Sequence, residues 1–194
     1  MINHIEGKLT EKTPTYVVIE CGGIGYLLNI SLHTYGKLSD SEKCKLFTHL
    51  AIREDAHTLY GFINQEEKNM FRQLISVSGV GASTARMILS SLSPAEVQQA
   101  ILSGNVVQLK SIKGIGEKSA QRIIVDLKDK IGKVSMGTDV VTGGNNTMRE
   151  EALAALTMLG FARNVGEKGI EKALKSNGTI SSVEELIKQT LKNI

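Results

Sequence analysis

A chain of 194 residues with no tryptophan and 4% aromatics has room for one or two ordinary domains or three small ones, with cores of Val, Ile, Leu and Ala around Phe47, Phe62, Phe71 and Phe161. Its two cysteines, Cys21 and Cys44, argue against a disulfide framework or a cysteine-based zinc site, His4, His33, His49 and His57 lack ligand spacing, and no apolar run approaches the ~18 residues that span a bilayer. The net charge of +3 is unevenly placed, −1 over residues 1–64, +3 over 65–131 and +1 over 132–194, which puts any polyanion partner in the middle third.

The N-terminus lacks a signal-peptide pattern, so the chain reads as cytoplasmic. Within residues 1–63, β-branched and aromatic runs at 1–9, 16–20, 25–30, 44–52 and 58–62 are divided by turn residues. Five short strands predict a small barrel of the OB type, which closes on itself and leaves few open edges. Gly22, Gly23, Ile24 and Gly25 mark a tight turn between the second and third strands; a phosphate cradle is the sharper alternative, but no helix follows to supply a dipole. Between the fourth and fifth strands Arg53, Glu54, Asp55, Ala56 and His57 form a charged hairpin tip. Such carboxylates are ordinarily just solvated, and they gain meaning only beside a nucleic-acid surface, where they would repel phosphate.

From Asn64 the apolar period changes from two to about 3.6. Asn64 is placed as an N-cap with Glu67 three residues later, ahead of an apolar stripe at Met70, Phe71, Leu74, Ile75 and Val77. The helix runs into Ser78-Gly79-Val80-Gly81. A second helix carries Ala85, Ile88 and Leu89, and Ser93, Pro94 and Glu96 start a third. Asn105 opens a short helix into Lys113-Gly114-Ile115-Gly116, and a helix over 117–131 leaves it, so 64–131 reads as one all-α domain.

Shifting the sequence by 35 residues lays Gly79 on Gly114 and also superimposes Leu74 on Leu109, Ser76 on Ser111, Ala85 on Ala120, Ile88 on Ile123 and Leu92 on Leu127. Two copies are too few for a solenoid and indicate a paired module. A glycine-bracketed turn that restarts a helix leaves backbone N–H groups and the positive end of the helix dipole facing outward, which suits a phosphate oxygen. The candidate DNA-binding residues are therefore Gly79, Val80, Gly81, Ser83 and Thr84 in the first copy, and Gly114, Ile115, Gly116, Lys118, Ser119 and Arg122 in the second. Val80 and Ile115 are expected to turn inward, and the contacts to carry no base information.

Residues 132–146 have linker composition, and a flexible tether is expected there. Residues 147–194 then show three helical starts with capping-box spacing, Thr147 to Glu150, Asn164 to Glu167 and Ser181 to Glu184, which predict a three-helix mini-domain.

The two glycine turns look like helix-hairpin-helix motifs. With Arg53-Glu54-Asp55-Ala56, Leu59-Tyr60-Gly61-Phe62 and Gly22-Gly23-Ile24-Gly25-Tyr26, the whole chain resembles the RuvA family of Holliday-junction-binding proteins. That resemblance implies an α+β multidomain chain without catalysis, metal or cofactor, which recognises four-way DNA junctions in recombination and SOS-linked repair. It implies a homotetramer, or eight copies on DNA, with a RuvB-type hexameric ATPase and a RuvC-type resolvase as partners and no membrane. It makes Glu54 and Asp55 an acidic pin that helps guide strands apart, and Leu156, Leu159, Gly160 and Phe161 a surface for the motor. Two departures stand out: Glu117 precedes Lys118 where the family commonly has two basic residues, and Ser83 replaces a frequent lysine, which leaves more of the binding to backbone donors. The alternatives are a helix-hairpin-helix nuclease or glycosylase, for which Asp126 is the one candidate, and a single-strand-binding OB protein, which the sparse aromatics disfavour.

Overall fold

The computed structural model describes residues 2–39, 41–136, 144–176, 180 and 182–193. The chain divides into two compact units, residues 1–137 and 138–194.

The first unit opens with strands β1 (His4–Lys12), β2 (Tyr16–Cys21) and β3 (Ile24–Asn29), a short helix α1 (Leu32–Lys37), and strands β4 (Lys43–Ile52) and β5 (His57–Phe62). The five strands close into a barrel in the order β1-β2-β3-β5-β4, with β4 returning to β1. All pairings are antiparallel except β3 with β5, where Leu28 and Asn29 meet Leu59 and Tyr60 in parallel. Strand alternation sends Val17, Ile19, Leu28 and Leu46 into a fully buried interior. Gly22 and Gly23 both take positive φ, at 58° and 82°, in the connection from β2 to β3, a tight turn that needs glycine.

Helices α2 (Gln65–Ile75), α3 (Ala82–Ser91), α4 (Pro94–Ser103), α5 (Val106–Lys110) and α6 (Glu117–Met136) follow. Their starts follow local chemistry: Asn64, Ser93 and Asn105 accept from the backbone N–H three residues on, and at α4 Glu96 returns the bond to Ser93 in a full capping box. At α2 the expected return bond is absent. Glu67 is fully buried instead, and its carboxylate accepts from the Ser31 hydroxyl, the Thr34 hydroxyl and, at 3.2 Å, the Ile63 N–H. Those bonds hold α1 against the start of α2. Phe71 of α2 meets the rings of Tyr60 and Phe62 at centroid distances of 5.1 and 4.8 Å, so strand β5 belongs to the core of the helices as well as to the barrel.

The second unit holds α7 (Gly144–Met158), α8 (Arg163–Ser176) and α9 (Val183–Asn193) around Ala152, Leu156, Ile170, Ala173 and Leu186. Its helix starts differ from the sequence reading. Because α7 begins at Gly144, Thr147 lies within the helix and is not its cap; α8 begins at Arg163, ahead of Asn164. Before α9 the cap is Ser182, whose hydroxyl accepts from the Glu185 N–H at 3.2 Å, while Ser181 lies outside the described residues. The expected tether at 132–146 is shortened from both sides, with α6 running to Met136 and α7 starting at Gly144; residues 137–143 lie outside the described residues.

Candidate nucleic-acid interface

The 35-residue repeat holds bond by bond. After α2, the Val77 N–H donates to the Leu74 carbonyl and the Val80 N–H to the Val77 carbonyl; after α5, Ile112 donates to Leu109 and Ile115 to Ile112. Ala85 and Ala120 donate to the carbonyls of Gly81 and Gly116 at the same 2.9 Å. The Ser76 and Ser111 hydroxyls return to Gln73 and Gln108. Gly79 and Gly114 have φ of 88° and 89°, a conformation that opposes any side chain, and a Cβ on either would meet no atom within 4 Å. Glycine is needed there for its backbone conformation and not for room.

Gly81 differs. Its φ of −82° suits any residue, it forms no side-chain cap for α3, and its bare face sits at the start of that helix. The first-turn N–H groups of α3 have no intrahelical acceptors, and without a capping side chain they stay open to a ligand. Gly116 holds the same place before α6, where a Cβ would meet nothing within 4 Å. Val80 and Ile115 are each 5% exposed and pack into the helical core, which anchors both turns from beneath.

Side chains distribute unequally over the two copies. Ser83, Lys118 and Arg122 are exposed, and Thr84 and Ser119 half-buried. Arg122 Nη1 lies 3.5 Å from the Ser78 carbonyl, so a residue of the second copy reaches the turn of the first. Glu117 is paired with Lys110 at 3.1 Å, which offsets its charge beside the second turn. In the first copy Arg86 is committed to the barrel, donating to the Thr15 carbonyl at 3.1 Å and the Asn29 side chain at 3.0 Å.

One residue at this surface, read in the sequence only as part of the charged hairpin tip, is not among the candidate DNA-binding residues. Arg53 Nη2 lies 3.8 Å from where a Cβ on Gly81 would stand, so the guanidinium sits beside the first glycine turn. Arg53 also closes the hairpin tip, its N–H donating to the Ala56 carbonyl at 2.9 Å. Glu54 and Asp55 project from that tip and are exposed. A carboxylate pair and the first hairpin thus share one neighbourhood through a single arginine. The barrel-to-helix pairing that makes this contact is tertiary, and no periodicity announces it.

Asp126 is half-buried on α6, and among the described residues no three His, Cys, Asp or Glu side chains gather as metal ligands. In the second unit, Leu156, expected on a docking surface, is fully buried and packs in the core. Phe161 packs partly against the same core. Leu159 is 63% exposed and Met158 90%, and Gly160, at φ 98°, ends α7 just beyond them. The apolar surface therefore centres on Met158 and Leu159.

Comparison with known proteins covers nearly the whole chain. Residues 1–61 match the RuvA N terminal domain, 71–129 the SAM-like helix-hairpin-helix tandem, and 147–194 the RuvA C-terminal domain. The chain is 55% identical to the Holliday junction branch migration complex subunit RuvA of Christiangramia forsetii and 53% identical to that of Flavobacterium psychrophilum, with 100% of each chain aligned. The subunit of the same name from Bacteroides fragilis is 48% identical, again over 100% of both chains.

Proposed function

The chain belongs to the RuvA family of Holliday junction branch migration complex subunits, and from that premise we propose that it recognises four-way DNA junctions by gripping duplex arms through its paired hairpins. The observation that carries this is the duplicated turn, whose hydrogen bonds and positive-φ glycines recur at 35 residues on the segment with a charge of +3. Two equal anchors on one rigid core suit the two strands of one duplex. Gly79, Gly81, Gly114 and Gly116 present backbone donors to phosphates, Ser83, Thr84, Lys118, Ser119 and Arg122 add side-chain donors, and Val80 and Ile115 hold the turns in place. Arg53 supplies the first hairpin with the cation that Ser83 does not.

In this reading Glu54 and Asp55 stand at the crossover and repel phosphates, so an ordinary duplex meets a barrier that an opened junction avoids. Four copies surround the junction, eight if a second tetramer closes over it. The second unit docks a RuvB-type hexameric ATPase through Met158, Leu159, Gly160 and Phe161, ATP hydrolysis belonging to that partner, and a RuvC-type resolvase acts on the same junction in the cytoplasm. An electrophoretic mobility comparison tests the reading: the chain binds a four-way junction far more tightly than linear duplex of equal length, and both affinities fall steeply as salt rises. Equal affinity for the two substrates would sink it.

A further inference from the structure

A cleft of about 130 Å³ opens on the barrel between β4 and α2, lined by Asn3, Thr48, His49, Leu50, Lys68 and Arg72. Three of these six side chains are basic and none is acidic. Lys68 is only 6% exposed, yet its ammonium bonds neutral acceptors alone, the Asn3 side-chain oxygen at 2.7 Å and the Asn3 carbonyl at 3.2 Å. The one carboxylate next to it in sequence, Glu67, is engaged by Ser31, Thr34 and Ile63. Burial, Arg72 and Lys68 together hold the His49 imidazole below its ordinary value, and burial and Arg72 do the same to the Lys68 ammonium. Buried charges are ordinarily paired, and among the described residues no carboxylate pairs with this cluster.

We propose that the cleft seats a carboxylate side chain from a second copy of this chain, held between Arg72 and Lys68 beside His49. A planar carboxylate matches a guanidinium fork, and its third contact falls to an ammonium that still has a donor to give. The recess favours a side chain on a flexible stem over a DNA phosphate, because Lys68 as a residue is only 6% exposed and its ammonium is drawn toward Asn3 inside the cleft, away from a strand running over the surface. The barrel segment supplies the chemistry, carrying a net −1 with exposed acids of its own, Glu6, Glu20 and Glu42 among them. The inference rests on the assembly of several copies proposed above, and names a contact that holds it.

Sedimentation velocity of the full chain tests it. Arg72 is exposed, so Arg72→Gln keeps the fold, and it raises the dissociation constant of the assembly roughly tenfold or more; Lys68→Met has the same effect provided its circular dichroism stays native. Acetate, as a competing carboxylate, dissociates the unaltered protein further than chloride at equal ionic strength, and the Arg72→Gln variant does not distinguish the two salts. An assembly indifferent to Arg72→Gln and to acetate overturns the proposal. So does a variant of unchanged mass that loses duplex affinity, which would assign the cleft to DNA. A chain that never self-associates fails the several-copy reading itself, a distinct result.

Discussion

Gly79 and Gly81 stand two residues apart under different demands. At Gly79 the demand is conformational: φ is 88°, and an alanine there strains the turn by about 1–2 kcal/mol. At Gly81 φ is ordinary and the nearest atom to an added methyl is the Arg53 guanidinium, 3.8 Å away. Gly79→Ala is therefore expected to lower the thermal midpoint, whereas Gly81→Ala leaves it within error and weakens duplex binding by holding the phosphate off the α3 amides. Thermal denaturation and fluorescence anisotropy with labelled duplex separate the two effects; a Gly81→Ala chain that binds as the parent does would show that DNA does not approach that face. Arg53→Ala carries its own signature. Removing one phosphate contact weakens binding across all sequences and reduces the slope of log affinity against log salt by about one, while loss of a purely structural arginine would leave that slope in place.

Among the elements, α1 shows how one buried carboxylate organises a helix too short to form by itself. Six residues with Gly36 inside have little helical tendency, and nothing in the pattern of 32–37 predicts a helix. Its N-cap hydroxyl, Ser31, and its buried Thr34 both answer to Glu67, which lies more than thirty residues on. Glu67→Ala leaves the Ser31 and Thr34 hydroxyls without this acceptor and the Ile63 N–H with the Thr34 hydroxyl oxygen alone, at 3.1 Å, and is expected to destabilise the first unit by about 1–3 kcal/mol, measured as a fall in the urea midpoint. The five strands and the helices of the repeat, in contrast, were legible because their apolar residues alternate or recur on one face, and Asn64, Ser93 and Asn105 cap where their side chains place them. In the second unit the capping pattern misled. Thr147 and Asn164 have the right chemistry and spacing, but Arg163 pairs with Glu167 at 3.0 Å within α8, and α7 simply starts earlier. Local spacing proposes a cap; where the helix begins is settled by which residues pack.

At the scale of the whole molecule, affinity and selectivity fall to different parts. In the proposed function the hairpins supply contacts that any duplex can satisfy, and Glu54 and Asp55 supply a repulsion that only some DNA geometries escape. The double substitution Glu54→Gln and Asp55→Asn is expected to raise affinity for linear duplex more than for a four-way junction, narrowing the ratio between them; competition binding with both substrates reads it directly, and an unchanged ratio would remove the pin from the account. The family of the chain was legible from its repeated glycine turns and its acidic loop, whereas the meeting of Arg53 with Gly81 and the cations around His49 was not, because both arise where the barrel packs against α2 and α3.

The two turns share one continuous core, from Phe71 under the first to Ile115 and Leu127 around the second. Their separation is therefore fixed before any nucleic acid arrives. A pair of rigid grips that reads only backbone meets the same landscape at every base-pair step, without wells at favoured sequences. If the proposed grip holds duplex in this way, such a surface acts as a bearing: a helical shaft turns and advances across it in equal increments, and the work of advance is set by the motor that drives the shaft, whatever genetic text is passing through.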